Sequence, residues 1–149
     1  RCRMSRPLEQ LILVLDTSGS CKPYSQLLQQ IASLALQLQI VEIWEAPNAT
    51  LVGTWKWDSR AQKPTLQEVS DPAWPWKGRT IVFVGDFDGA YQIVEASRTN
   101  RIYWFSTERR YRNLSDHWAH PDLNLKDFRG MYFQVKSVQD ILNLAKKIR

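Results

Sequence analysis

Two apolar runs in this chain stop at an aspartate: "EQLILVLD" ends at Asp16 and "RTIVFVGD" ends at Asp86. A short continuous apolar run is the signature of a strand buried on both faces. Helical patterns separate such runs. "YSQLLQQIASLALQLQ" puts Leu27, Leu28, Ile31, Leu34, Ala35 and Leu38 on one stripe, with Gln26, Gln29, Gln30, Ser33 and Gln37 mostly opposite. "GAYQIVEASR" reads as a short helix and "SVQDILNLAKKIR" as a closing one. Ser137 can cap the latter, Asp140 sits in its first turn, and Lys146, Lys147 and Arg149 suit the negative end of its dipole.

The remaining segments fill in a sheet. "IVEIWEA" and "ATLVGTWKW" read as a hairpin about "PN", and "RIYWFST" and "GMYFQV" as further strands. Residues 58 to 79 are expected to be a loop with a short helix near "TLQEV", and residues 107 to 129 a long polar loop. Strands alternating with helices imply a parallel sheet covered on both sides, and right-handed crossovers make it doubly wound. The expected class is therefore α/β: a mostly parallel, Rossmann-like central sheet with helices on both faces and one hairpin edge strand. In such sheets ligands bind beyond the carboxyl ends of strands, where the strand order reverses. The two aspartate-ended strands are thus the informative ones.

Size and composition fit one domain. The 149 residues are 44% apolar and 23% charged, enough to bury a core. The net charge of +5 permits an anionic partner without demonstrating one. Two cysteines, Cys2 and Cys21, make no disulfide framework and point to a reducing, cytoplasmic setting. No stretch approaches the roughly 18 to 20 apolar residues of a membrane span. The opening "RCRMSRP" leads us to expect a single domain, residues 1 to 149, cut from a longer protein.

After the first strand, "DTSGS" presents three oxygens in one turn, from Asp16, Ser18 and Ser20, and Gly19 lets the backbone bend between the serines. Hard divalent cations take oxygen ligands, and one carboxylate with two hydroxyls leaves room for further protein oxygens, water and an outside ligand. Set beside this is a plainer account, in which Asp and Ser only satisfy the free N–H groups of a helix start.

"LVLDTSGS" resembles the metal-ion-dependent adhesion site of von Willebrand factor A-type domains, and the expected order of elements is similar. The family motif is Asp-x-Ser-x-Ser after the first strand, a threonine in a middle loop, and an aspartate after the fourth strand. Asp16, Ser18 and Ser20 match the first part. Asp86 in "IVFVGDFDG" stands for the third, with glycine before it where the family often has threonine. Thr65 in "QKPTLQEV" is chosen for the middle part, since Thr54 lies inside a strand and Thr80 opens one. The resemblance implies a non-catalytic module. It would bind Mg²⁺ (or Mn²⁺ or Ca²⁺) and leave a coordination position for an acidic side chain of a partner protein, inside a larger assembly with the parent chain's other domains. Arg109, Arg110 and Arg112 would contact that acidic partner at the same rim.

Other chemistries are weaker. "VFVGDFDGA" looks like the first motif of haloacid-dehalogenase-type phosphatases, with Asp86 as nucleophile and Asp88 as general acid/base. That motif should open its domain, and here it falls past the middle. "HWAH", with His117 and His120 near Asp116 and Asp122, has poor spacing for a metal and reads as a solvated loop. Cys21 reads as an ordinary thiol. The aromatic and basic stretch from Arg98 to Arg112 could meet single-stranded nucleic acid, but a buried strand flanked by solvated arginines is favoured. No phosphate-binding Gly-Lys-Ser/Thr loop and no Gly-x-Ser-x-Gly elbow occurs.

Overall fold

The structure, a computed structural model, describes residues 10–38, 41–108 and 127–145. Seven strands form one sheet in the order β4-β3-β2-β1-β5-β6-β7. The central run is parallel: β1 (Leu11–Leu15) lies between β2 (Val41–Glu45) and β5 (Thr80–Gly85), then come β6 (Arg101–Ser106) and β7 (Met131–Gln134). β3 (Gly53–Asp58) and β4 (Lys63–Glu68) add on antiparallel at the β2 edge. The α/β class and the mostly parallel sheet thus hold as expected.

Period-two alternation along the strands divides the core into two layers. Ile12, Val14, Ile81, Phe83, Ile102 and Trp104 face one side, where α2 (Ala90–Ala96) packs through Ala90, Ile93 and Val94. Leu15, Ile43, Val82, Val84, Tyr103 and Phe105 face the other, under α1 (Lys22–Gln37) and α3 (Val138–Ala145). Both faces are covered, so the central strands carry no polar face. α3 starts as expected, with the Asp140 N–H donating to Ser137 Oγ at 3.2 Å.

Three expectations need correction. The expected stripe of α1 holds at Leu28 and fails at Leu27 and Leu38, and the side chains of Ile31, Leu34 and Ala35 lie outside the described ones. Tyr24, Leu28, Ala32 and Leu36 pack on the core, whereas Leu27 and Leu38 are 44% and 61% exposed. Spacing by four carries the contact onto a curved sheet face, and Leu27 falls off it. The segment near "TLQEV" is no helix: residues 63–68 are β4, paired with β3 from Gly53↔Glu68 to Asp58↔Lys63. The reason lies at the turn. The Asp58 carboxylate accepts the N–H groups of Arg60 (2.9 Å) and Ala61 (3.2 Å), and Gln62 takes φ 54°, which folds the chain back before a helix can start. Pro64 is tolerated because β4 is the sheet's edge. The edge strand is therefore β4, with β3 inside the sheet.

The remainder of 58–79 covers the α2 face beside β1 and β2 as irregular chain. Trp74 and Trp76 meet edge to face at 5.5 Å, and Trp76 meets Trp44 at 5.2 Å. These indoles supply apolar cover that a crossover helix would otherwise provide.

Candidate metal centre

The strand order reverses between β1 and β5, because the chain leaves β1 toward β2 on one side and later returns to β5 on the other. Asp16 and Asp86 stand just past the carboxyl ends of these two neighbours. The Asp16 N–H donates to Val84 O at 2.9 Å, extending the parallel ladder by one bond. Asp86 follows the fifth strand of the chain, since residues 63–68 form a strand that the motif's count of four does not include.

Asp16 is fully buried. Its Oδ1 accepts three donors: the Ser18 N–H at 2.8 Å, the Ser18 hydroxyl at 2.5 Å and the Asn48 N–H at 3.3 Å. This is the capping role foreseen as the plainer account. It accounts for one oxygen only. Oδ2 is equally buried and has no hydrogen-bond partner. A carboxylate oxygen taken from water with no donor costs free energy, and cations or donors normally meet it.

Asp86 is half-buried. Its Oδ1 caps the following 3-10 turn by accepting the Asp88 N–H at 3.0 Å, and its Oδ2 lies 3.6 Å from the Cys21 thiol, which donates to it. Cys21 is fully buried, at the end of the 3-10 turn Gly19–Cys21. Its sulfur also lies 3.3 Å from Thr107 Oγ1. One ligand atom from each of Asp16, Cys21 and Asp86 lies within 4.8 Å of the others. Burial pushes the Cys21 thiol up to about 11; the Asp16 and Asp86 charges push the same way, and the Thr107 hydrogen bond partly opposes them.

The neighbouring loops hold this arrangement in place. Ser25 Oγ, buried in α1, reaches the carbonyls of Asp16 (2.5 Å) and Cys21 (3.2 Å), which ties the helix start to the strand end. The β2–β3 connection comes over the top: Asn48, at φ 52°, offers its N–H to Asp16, and its side-chain amide lies 3.0 Å from the Ser18 hydroxyl oxygen. Trp74 Nε1 holds that connection by donating to Ala49 O at 2.8 Å.

Of the residues singled out in the sequence, Asp16, Ser18 and Asp86 come together. Ser20 lies in the same 3-10 turn, and its side chain is outside the described ones. Thr65 does not join them. It lies in β4, three strand spacings from β1 or about 14 Å, with its hydroxyl directed to Lys56 O at 3.4 Å. The hairpin that makes β4 a strand carries it away. Arg109, Arg110, Arg112, His117 and His120 lie outside the described residues. Arg98 pairs with Glu95 and Asp127, and Arg101 stacks over the Tyr103 ring at 5.4 Å.

Sequence reasoning missed Cys21, Asn48 and Thr107. Thr107 had a usable signal, since it follows directly on a parallel strand and so falls on the same rim. Cys21 had one too, being a single residue past the motif. Asn48 had none, because only the tertiary path of the connection brings it there.

The phosphatase alternative needs Asp88 as acid/base. Asp88 is exposed and meets Asp86 through its backbone N–H. β6 runs out into Ser106, Thr107 and Glu108, which is not a pair of acids. Comparison with family models, with curated proteins and with solved structures finds no match. Among the described residues no helix is long and apolar enough to cross a membrane.

Proposed function

We propose that this chain is a von Willebrand factor A-like, non-catalytic protein-interaction module that works through a divalent cation. Asp16 and Asp86 hold the cation. Ser18 and Ser20 sit at positions where the resemblance places hydroxyl ligands. Ser18 gives its proton to Asp16, so its oxygen keeps lone pairs for a metal. A carboxylate from a partner protein completes the coordination, and the loops around the rim select that partner.

One observation carries the reading. Asp16 Oδ2 is buried without a partner at the topological switch point, and a carboxylate oxygen of Asp86, at the neighbouring strand end, lies within 4.8 Å of one of Asp16. Capping alone would leave that oxygen unexplained.

Calorimetric titration with Mg²⁺ and Mn²⁺, on this chain and on Asp16→Asn, tests the proposal. Asparagine keeps the Oδ1 acceptor that organises the turn and replaces Oδ2 by an amide. Saturable binding lost in the variant supports the module. A folded chain that takes up neither ion at millimolar concentration overturns it.

A further inference from the structure

Sulfur changes which cation such a site prefers. The expected ligand set was all oxygen, suited to Mg²⁺. The folded chain instead brings a thiol into it: Cys21 is fully buried, its Sγ lies 3.6 Å from Asp86 Oδ2, and a carboxylate oxygen of Asp16, the residue whose Oδ2 is buried and unpartnered, lies within 4.8 Å of both. We propose that the cation of this site is a thiophilic or borderline ion of the Zn²⁺ class, bound by Asp16, Asp86 and the Cys21 sulfur. This rests on the reading above, that a cation occupies the rim, and names the kind of ion.

Three observations carry it. The first is spacing. Tetrahedral Zn²⁺ with Zn–S near 2.3 Å and Zn–O near 2.1 Å has an S···O edge of about 3.6 Å. The Cys21–Asp86 separation is 3.6 Å, set in the ion-free chain by the S–H···O hydrogen bond, so an ion of this kind enters with no change along that edge; all three ligand atoms lie within 4.8 Å of one another. The second is chemistry: Mg²⁺ discriminates against sulfur, whereas Zn²⁺ and Co²⁺ accept thiolate together with carboxylate. The third is the vacant acceptor, since Asp16 Oδ2 has no donor to give up when an ion arrives.

On binding, the ion forms a bond to sulfur and the thiol proton leaves to solvent. Two carboxylates and a thiolate then face one divalent ion; with the Ser18 and Ser20 hydroxyls outside this tetrahedral shell, a fourth position is left open. A partner carboxylate would take that position, entering past Asp86, the half-buried member of the three. Thr107, already hydrogen-bonded to the sulfur, stays beside it and orients it.

The test uses this chain in a Cys2→Ser background, so that Cys21 is its only thiol, titrated with Co²⁺, Zn²⁺ and Mg²⁺. Tighter binding of Zn²⁺ than Mg²⁺ is no test, because nearly any nitrogen, oxygen or sulfur site shows that order. The decisive readouts are the sulfur-to-cobalt charge-transfer absorption and the effect of Cys21→Ser. We expect the absorption to grow to one equivalent of Co²⁺. In Cys21→Ser it should vanish and Zn²⁺ affinity should fall by at least the roughly 10–100-fold that loss of an outer-shell partner costs. Co²⁺ or Mg²⁺ binding that needs Asp16 but shows no charge-transfer band overturns this inference and leaves the cation reading standing. No saturable binding of any of the three ions overturns both. The cobalt spectrum needs no variant at Cys21, so it decides even where Cys21→Ser folds poorly.

Discussion

Gly85, the last residue of β5, and Asp16, the first past β1, lie side by side at a distance that admits no side chain. A Cβ at position 85 would come within 2.8 Å of Asp16 Cβ and 2.6 Å of the Phe83 ring. The glycine ahead of Asp86 is therefore a packing requirement of the rim. It lets the two strand-end acids converge, and its carbonyl takes both the Trp104 Nε1–H at 3.1 Å and the Thr107 N–H at 3.2 Å.

Gly85→Ala is accordingly expected to act at the site as well as in the core. Overpacking of this kind costs about 1–3 kcal/mol, read as a lower urea midpoint. Because relief requires β1 and β5 to part at Asp16, cation affinity should fall with it. A stable variant that binds the ion as tightly as the parent chain would show that the close approach does not position the acids.

The Asn48 connection separates backbone from side-chain effects. Its φ of 52° and ψ of 38° lie in the left-handed region, where a β-carbon is disfavoured unless the side chain is Asn or Asp. Asn48→Ala should destabilise by about 1 kcal/mol and loosen the loop over Asp16. Asn48→Gly keeps the backbone conformation and the N–H donated to Asp16, and should lose less. Equal urea midpoints for the two variants would argue that the Ser18 contact, lost in both, matters more than the conformation.

Arg79 and Glu42 provide a control at the opposite end of the sheet. They pair at 2.9 Å, with side chains 23% and 19% exposed, and Arg79 Nη2 also donates to Gln10 O at 3.0 Å. The pair ties the amino ends of β1, β2 and β5. Glu42→Ala leaves the guanidinium in a partly desolvated position without its carboxylate, and should cost about 1–3 kcal/mol. Cation affinity, measured well below the unfolding transition, should not change. A change in affinity would mean that the rim responds to global stability, and the Gly85 result would then need the same discount.

Much of this was legible in the sequence where local pattern and tertiary demand agree. The runs ending at Asp16 and Asp86 have no polar face, and only burial on both sides suits such strands. "DTSGS" likewise encodes a turn that its own aspartate organises, through the two Ser18 donors. Legibility failed where a distant partner decides. Residues 63–68 carry polar, helix-compatible side chains, and pairing with β3 makes them a strand. That misreading also misplaced Thr65, because a loop residue can reach the rim whereas one fixed in an edge strand cannot. Cys21 was undervalued for a related reason: its neighbours Asp86 and Thr107 lie 65 and 86 residues away in the chain.

The Cys21 thiol predicts how stability depends on pH in the ion-free chain. Its pKa rises from 9.0 to about 11 in the fold, chiefly because burial disfavours the thiolate. A group whose folded pKa lies above its unfolded one stabilises fully below the unfolded value. That stabilisation is lost as pH climbs from 9.0 toward about 11. A shift of this size corresponds to at most about 2–3 kcal/mol, less where solvent screens the thiolate. Lysines and tyrosines titrate in the same range, so the comparison is with Cys21→Ala, again in the Cys2→Ser background. The difference in unfolding free energy between the two chains should be constant below pH 9 and should shrink as pH rises through the window. With Zn²⁺ present the difference should instead grow as pH rises toward neutrality, because binding releases the thiol proton and the ion stabilises the chain with Cys21 more than Cys21→Ala. A pH-independent difference would mean that the thiolate is no worse solvated in the fold than in the unfolded chain, and so that the sulfur is open to water.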